Sequence, residues 1–157
     1  MLQLNFDNRK DLELENLILD YNGTIAFQGK TIAGVKEKLS KLSEILDIYI
    51  VTADTYGTVR EEFKDHSINI EITGDKLTGT KYKKEFVENL GAAKTISIGN
   101  GVNDRLMLKE SGLSLAIIGG EGASLKTVLK ADILVRDILE GLDLLLNTDS
   151  LKATLRR

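Results

Sequence analysis

Leu17-Ile18-Leu19-Asp20-Tyr21-Asn22-Gly23-Thr24 is the stretch on which the fold turns. A short continuous apolar run closed by a carboxylate is the pattern of a strand buried on both faces, as in a parallel sheet. The polar turn behind it, with glycine at its centre, stands where an open α/β sheet binds its ligands, beyond the carboxyl ends of the strands.

Working outward, the same alternation repeats. Val35, Leu39, Leu42 and Leu46 recur at helical spacing, then Ile48 to Val51 reads as a strand ending at Thr52. Tyr56, Val59 and Phe63 line one face of a second helix, and Ile68, Ile70 and Ile72 alternate as a half-exposed edge strand does. Phe86, Val87 and Leu90 mark a third helix, with Gly91 as its stop. Strands are expected at Thr95 to Ile98 (ending at Gly99), Leu113 to Ile118 (closed by Gly119-Gly120) and Ile133 to Val135. Helices are expected at Leu106 to Lys109, Leu125 to Leu129 and Ile138 to Leu146. Leu2 to Phe6 and Leu12 to Leu14 predict edge structure, Ala26 to Lys30 a short hairpin flap, and the polar segment after Asn147 a loosely held tail. Strand–helix alternation of this kind predicts an α/β protein with a doubly wound, mostly parallel sheet. A length of 157 residues fits one domain over 1–157.

Composition removes whole classes of chemistry. The chain has no cysteine and one histidine, His66. Thiol nucleophiles, disulfides, cysteine-ligated metals and multi-histidine metal sites are therefore excluded. A net charge of −3 gives no basic footprint for nucleic acid. No apolar run reaches the roughly 18–20 residues that span a bilayer. Met1 to Asp11 lacks the basic and apolar regions of a secretory signal, so the expectation is a soluble, cytoplasmic protein.

Four polar clusters fall at the expected strand ends: Asp20 to Thr24, Thr52-Ala53-Asp54, the lysines Lys81, Lys83 and Lys84, and Gly99 to Asp104. Together they suit phosphoryl transfer. A carboxylate takes the phosphoryl group, and a hydroxyl, backbone amides and an ammonium hold and neutralise its oxygens. Clustered oxygen donors nearby suit magnesium. Singly, each has an ordinary reading: Asp20 as a turn residue, Thr52 as a helix entry, Asp54 as an N-cap and each lysine as a solvated charge. Gly119-Gly120-Glu121-Gly122 reads as a strand-to-helix turn, and His66 falls outside the cluster.

On these motifs the chain resembles the haloacid dehalogenase superfamily, and within it the phosphorylation domain of P-type ATPases. The family's D-x-D-x-T or D-K-T-G-T motif is matched by Asp20-Tyr21-Asn22-Gly23-Thr24, its second motif by Thr52, and its G-D-G-x-N-D motif by Gly99-Asn100-Gly101-Val102-Asn103-Asp104. The likeness continues through Leu113 to Ile118 and Ala131 to Val135, and covers about Leu17 to Leu146. It implies a magnesium-dependent phosphohydrolase with Asp20 as the nucleophile that becomes aspartyl phosphate. Asn22 sits where the family's main-chain carbonyl ligates magnesium. Thr52 is implied to bond the phosphoryl group. Lys83 is the first choice for the neutralising lysine, Lys84 the second and Lys81 the third. Asn100 occupies the metal-ligand position, with Asn103 and Asp104 supporting the phosphate, the lysine and the metal.

Two residues depart from the family pattern. Asn22 replaces the aspartate of the phosphatases and cannot exchange a proton at neutral pH. Losing a positioned acid–base group costs about 10²–10⁴-fold in rate, so slow turnover is expected. Asn100 replaces the metal-binding aspartate, which predicts weaker magnesium affinity. The alternative is a catalytically degenerate phosphate- or metal-binding module that works through protein contacts. Only 32 positions separate Asp20 from Thr52, and 31 separate Thr52 from Lys83. Neither gap holds a cap domain. By analogy with such open members, which act on bulky phosphorylated substrates or cover the site with a neighbouring subunit, the resemblance leaves a homo-oligomer open. Signalling receiver domains also use phospho-Asp, Thr and Lys, but they carry a Lys-Pro pair, and this chain has no proline.

Overall fold

A computed structural model describes residues 1–7, 9–53, 57–73 and 79–156. Its centre is a six-stranded sheet built from β3 (Asn16–Asp20), β6 (Asp47–Thr52), β7 (Asn69–Ile72), β8 (Thr95–Gly99), β9 (Leu113–Ile117) and β10 (Ile133–Val135). The order across the sheet is β10-β9-β8-β3-β6-β7, and every neighbouring pair is parallel. The chain runs from β3 outward through β6 to β7, then returns to β8 on the other flank and runs out to β10. The order therefore reverses between β3 and β8, and the crevice at such a switch point is where doubly wound sheets bind ligands.

Side chains sort by the period of two. Leu17 and Leu19 of β3 join one core layer, and Ile18 joins the other. Beneath the first layer lie α1 (Val35–Leu42) and α6 (Ile138–Leu146), which bury Val35, Leu39, Leu42, Ile138, Leu142 and Leu145. The second layer is closed by α3 (Gly79–Leu90) and α4 (Arg105–Glu110), through Val87, Met107 and Leu108. The helices α2 (Val59–Glu62) and α5 (Leu125–Val128) are single turns. β3, β8 and β9 are buried at every position: their apolar residues reach both core layers, and Thr95, Ser97 and Ser114 among them are buried as well.

The hairpin flap forms from β4 (Ala26–Phe27) and β5 (Lys30–Thr31), with Gln28 and Gly29 both at positive φ, as a two-residue hairpin turn requires. Among the described residues no cap domain is present. β7 lies at the edge of the sheet, as the Ile68/Ile70/Ile72 alternation predicts. The amino-terminal strands β1 (Leu2–Leu4) and β2 (Leu12–Leu14) pair with each other in a separate antiparallel sheet instead of extending the main one. Tyr56 and Asp54, read as part of helix 2 and as its cap, lie outside the described residues.

The carboxyl-terminal segment corrects the expectation of a loose tail. It forms α7 (Thr148–Leu155), entered through Asn147, whose side chain accepts from Ser150 N at 3.3 Å. Leu151 is wholly buried in the main core, and Arg9 Nη1 donates to Leu155 O at 3.3 Å. A segment with one well-placed leucine is docked even where its composition is polar. No helix among the described residues is long and apolar enough to cross a membrane.

Candidate active site

Asp20 ends β3, Thr52 ends β6 and Gly99-Asn100 ends β8, so three adjacent strands deliver their last residues to one crevice. The crevice is a cavity of about 340 Å³ lined by Asp20, Asn22, Thr52, Thr73, Lys83 and Asn100, with Gly79, Asn103 and Glu121 at its rim. Larger depressions lie elsewhere: one beside β7, against Arg60, His66 and Phe86, has a volume of about 590 Å³. It lacks the convergent carboxylate, lysine and threonine groups of the switch-point cavity. Chemistry, not volume, marks the site.

A buried ion triad forms its floor. Lys83 Nζ lies 2.5 Å from Asp20 Oδ1 and 2.6 Å from Asp104 Oδ1, with the lysine and Asp104 almost wholly shielded from solvent. Asp104 Oδ2 accepts from the backbone amides of Asn100 at 3.0 Å and Gly101 at 2.9 Å. Asp104 thus holds the lysine with one oxygen and the β8–α4 turn with the other. It lies behind the cavity and does not line it.

The helix carrying Lys83 is fixed at both ends. Asn16 Nδ2 on β3 donates to Leu90 O at 3.2 Å, and the Tyr82 hydroxyl donates to Glu71 on β7. Burial, with Glu71 beside it, pushes the Tyr82 phenol up to about 12. Of the other two lysines, Lys81 is exposed and Lys84 pairs with Glu88 along the same helix at 2.9 Å. Helical rotation explains the choice: Lys83 and Val87, four residues apart, are the two residues that α3 buries.

Two carboxylates share one ammonium, and the titration behaviour follows. Burial raises Asp20 to about 6 from its ordinary 3.8; repulsion from Asp104 adds to the rise, and Lys83 and the Thr24 hydroxyl offset part of it. For Lys83, burial favours the neutral amine, but the two carboxylates outweigh it and hold the lysine above its usual range. At neutral pH the site therefore presents an ionised Asp20 beside a firmly charged Lys83.

The Thr24 hydroxyl lies 3.2 Å from Asp20 Oδ2 and 3.3 Å from Asn100 Oδ1. A hydroxyl carries one proton, so it cannot satisfy both acceptors at once. Acceptor oxygens thus exceed donors where Asp20 and Asn100 converge, which is the condition a cation relieves. Among the described residues no group of three or more His, Asp or Glu side chains converges as a metal cluster. The donors are one carboxylate and one amide oxygen, an oxygen-only set of low charge. That fits magnesium, which keeps several waters and takes few protein ligands.

Gly23 stands at φ +80, and a Cβ there would lie 2.5 Å from Asn100 Nδ2 and 2.7 Å from Glu121 Oε2. Only glycine lets the turn after Asp20 approach this closely. Thr73 and Glu121 line the cavity without having been singled out as site residues. Thr73 follows β7, and its amide donates to Thr52 O at 2.9 Å. Glu121 lies in the Gly119–Gly122 turn after β9, whose glycines were the one available signal. His66 stacks edge-to-face on Phe63, away from the site.

No family model matches the chain. It is 48% identical over 82 residues to "Uncharacterized protein MJ0073" of Methanocaldococcus jannaschii, covering 52% of this chain and 88% of that one. Among solved structures it superposes on the cobalt-bound deoxy-D-mannose-octulosonate 8-phosphate phosphatase of Haemophilus influenzae with a TM-score of 0.66, at 15% identity and with 90% and 92% of the two chains covered. It superposes on the Moraxella catarrhalis 3-deoxy-D-manno-octulosonate 8-phosphate phosphatase, solved with magnesium, phosphate and the sugar acid, with a TM-score of 0.65 at 17% identity. That match covers 90% of this chain and 92% of the other.

Proposed function

We propose that this chain, which has the haloacid dehalogenase fold and belongs to one family with MJ0073, is a magnesium-dependent phosphohydrolase that works through phospho-Asp20. The observation that carries the reading is the buried Lys83 bridging Asp20 and Asp104 at the sheet's switch point. An ammonium held there neutralises phosphoryl oxygens beside a carboxylate that is ionised at neutral pH.

In the first step an Asp20 carboxylate oxygen forms a bond to phosphorus as the ester P–O bond breaks. The alcohol leaves and takes its proton from solvent, because Asn22 has none to give. Lys83 Nζ turns from Asp20 toward the phosphoryl oxygens and stays anchored by Asp104. The Thr52 hydroxyl and the exposed Asn103 amide, both at the cavity wall, offer further donors. In the second step water attacks phosphorus, the acyl–phosphate P–O bond breaks, and inorganic phosphate leaves with Asp20 restored. Asp20, Asn100 and the Asn22 main-chain carbonyl would hold magnesium, which would supply charge neutralisation for the phosphoryl group. With no general base at position 22, this second step is the slow one.

Purified protein tests this reading with p-nitrophenyl phosphate. Phosphate release should require magnesium and vanish in Asp20→Asn, and beryllofluoride should mark Asp20 in a crystal soak. Equal rates for parent and Asp20→Asn sink it. Asn22 and Asn100 motivate a second reading, a degenerate phosphate- or metal-binding module. Under that reading the parent is inert, and Asn22→Asp with Asn100→Asp gains activity.

A further inference from the structure

Position 100 poses an electrostatic problem that the neighbouring turn answers. Asn100 Nδ2 donates to Gly122 O at 3.1 Å, and Ser124 N donates to Asn100 O at 2.9 Å. The turn after β9 is thus tied to Asn100 through both its side chain and its main chain. A carboxylate at position 100 has no N–H to give Gly122, and it would face that carbonyl with like polarity. The turn so docked carries Glu121, whose Oε2 reaches the same point above Gly23 Cα that Asn100 Nδ2 borders.

Glu121 has no hydrogen-bond or ion-pair partner among the described residues. Yet it stands at the mouth of a cavity whose floor already holds two carboxylates against one lysine. Solvent satisfies this exposed carboxylate, but it also places negative charge beside the side chain of Asn100 and the point above Gly23 that both border, where it attracts a cation.

We propose that Glu121 supplies, from the rim of the cavity, the negative charge that the cation site lacks at position 100. The amide at 100 docks the turn, and the turn delivers the carboxylate. Asn100 and Glu121 therefore act as one relocated charge. This rests on the magnesium-dependent reading above, and it assigns that site a residue outside the matched motifs.

Calorimetric titration of Mg²⁺ into the full chain at pH 7.5, in phosphate-free buffer, tests the inference by binding alone. Glu121→Gln should weaken Mg²⁺ by about tenfold or more, the size expected for losing a supporting ligand group. The double variant Asn100→Asp/Glu121→Gln should return to near the parent affinity. Asn100→Asp alone should gain less than the same change gains in the Glu121→Gln background. Glu121 is exposed, so its variant folds, and melting curves verify this. Parent-like affinity in Glu121→Gln, or no recovery in the double variant, overturns the inference. If Asp20→Asn has lost binding in the same series, the nucleophile site stands and only the role of Glu121 falls. Absence of saturable binding by the parent overturns both.

Discussion

Gly99 carries no side chain because Asp104 fills the space one would need. A Cβ at 99 would lie 2.5 Å from Asp104 Cγ and 2.6 Å from its Oδ2, atoms pinned by two amides and by Lys83. At Gly101 a Cβ instead meets the exposed Asn103 amide at 2.6 Å, a flexible end that swings away. Gly99→Ala should therefore cost about 1–3 kcal/mol in overpacking and loosen the grip on Lys83. Phosphate release should fall with it, while Gly101→Ala stays near parent in melting temperature. Thermal melts and turnover on both variants check this, and equal behaviour of the two refutes it. At this scale the sequence is legible where a motif is local: Asp20, Thr52 and Asn100 stand at strand ends and meet at one crevice, with Asp104 in the turn after β8 just behind them. Thr73 and Glu121 are not legible, because nothing near them in sequence says that their turns meet at the same crevice.

Elements are legible in proportion to how much of their surface they bury. β3, β8 and β9 are buried throughout; the Leu17-Ile18-Leu19 and Leu115-Ala116-Ile117 runs mark β3 and β9 as strands inside a parallel sheet, and β8 buries Thr95 and Ser97 in alternation with its isoleucines. The Val35/Leu39/Leu42 spacing gives α1, but Leu46, which continues that spacing, lies past the helix end at Leu42 and is buried from the turn before β6. α7 escapes notice because two leucines in eight positions make a weak period. Its docking is a tertiary fact: Leu151 meets a core assembled from the rest of the chain. Leu151→Ala should then destabilise the protein by about 2–5 kcal/mol, as for other wholly buried leucines. Denaturant midpoints measure it, and a change under about 0.5 kcal/mol, the range of ordinary surface substitutions, would mean the segment is not packed.

At the scale of the molecule, the site is held against its own electrostatics. A core that buries Asp20 beside Asp104 favours the protonated form of Asp20, whose pKa stands at about 6 against an ordinary 3.8. The folded state therefore binds a proton more tightly than the unfolded chain does. Asp20 contributes this stability in full below about pH 4, loses it as pH rises toward 6, and contributes none above that. A rise of about two pH units corresponds to about 3 kcal/mol across the window. Asp20→Asn removes the ionisation and leaves Lys83 paired one-to-one with Asp104. In magnesium-free buffer the variant should match the parent near pH 4 and melt several degrees higher at pH 7. A melting difference that does not change between pH 4 and 7 would contradict the burial argument. Added magnesium should narrow the gap at pH 7, because a cation that binds the parent's carboxylate stabilises the parent alone. The fold holds two carboxylates closer than one lysine can neutralise, and the excess negative charge is what a bound cation would relieve.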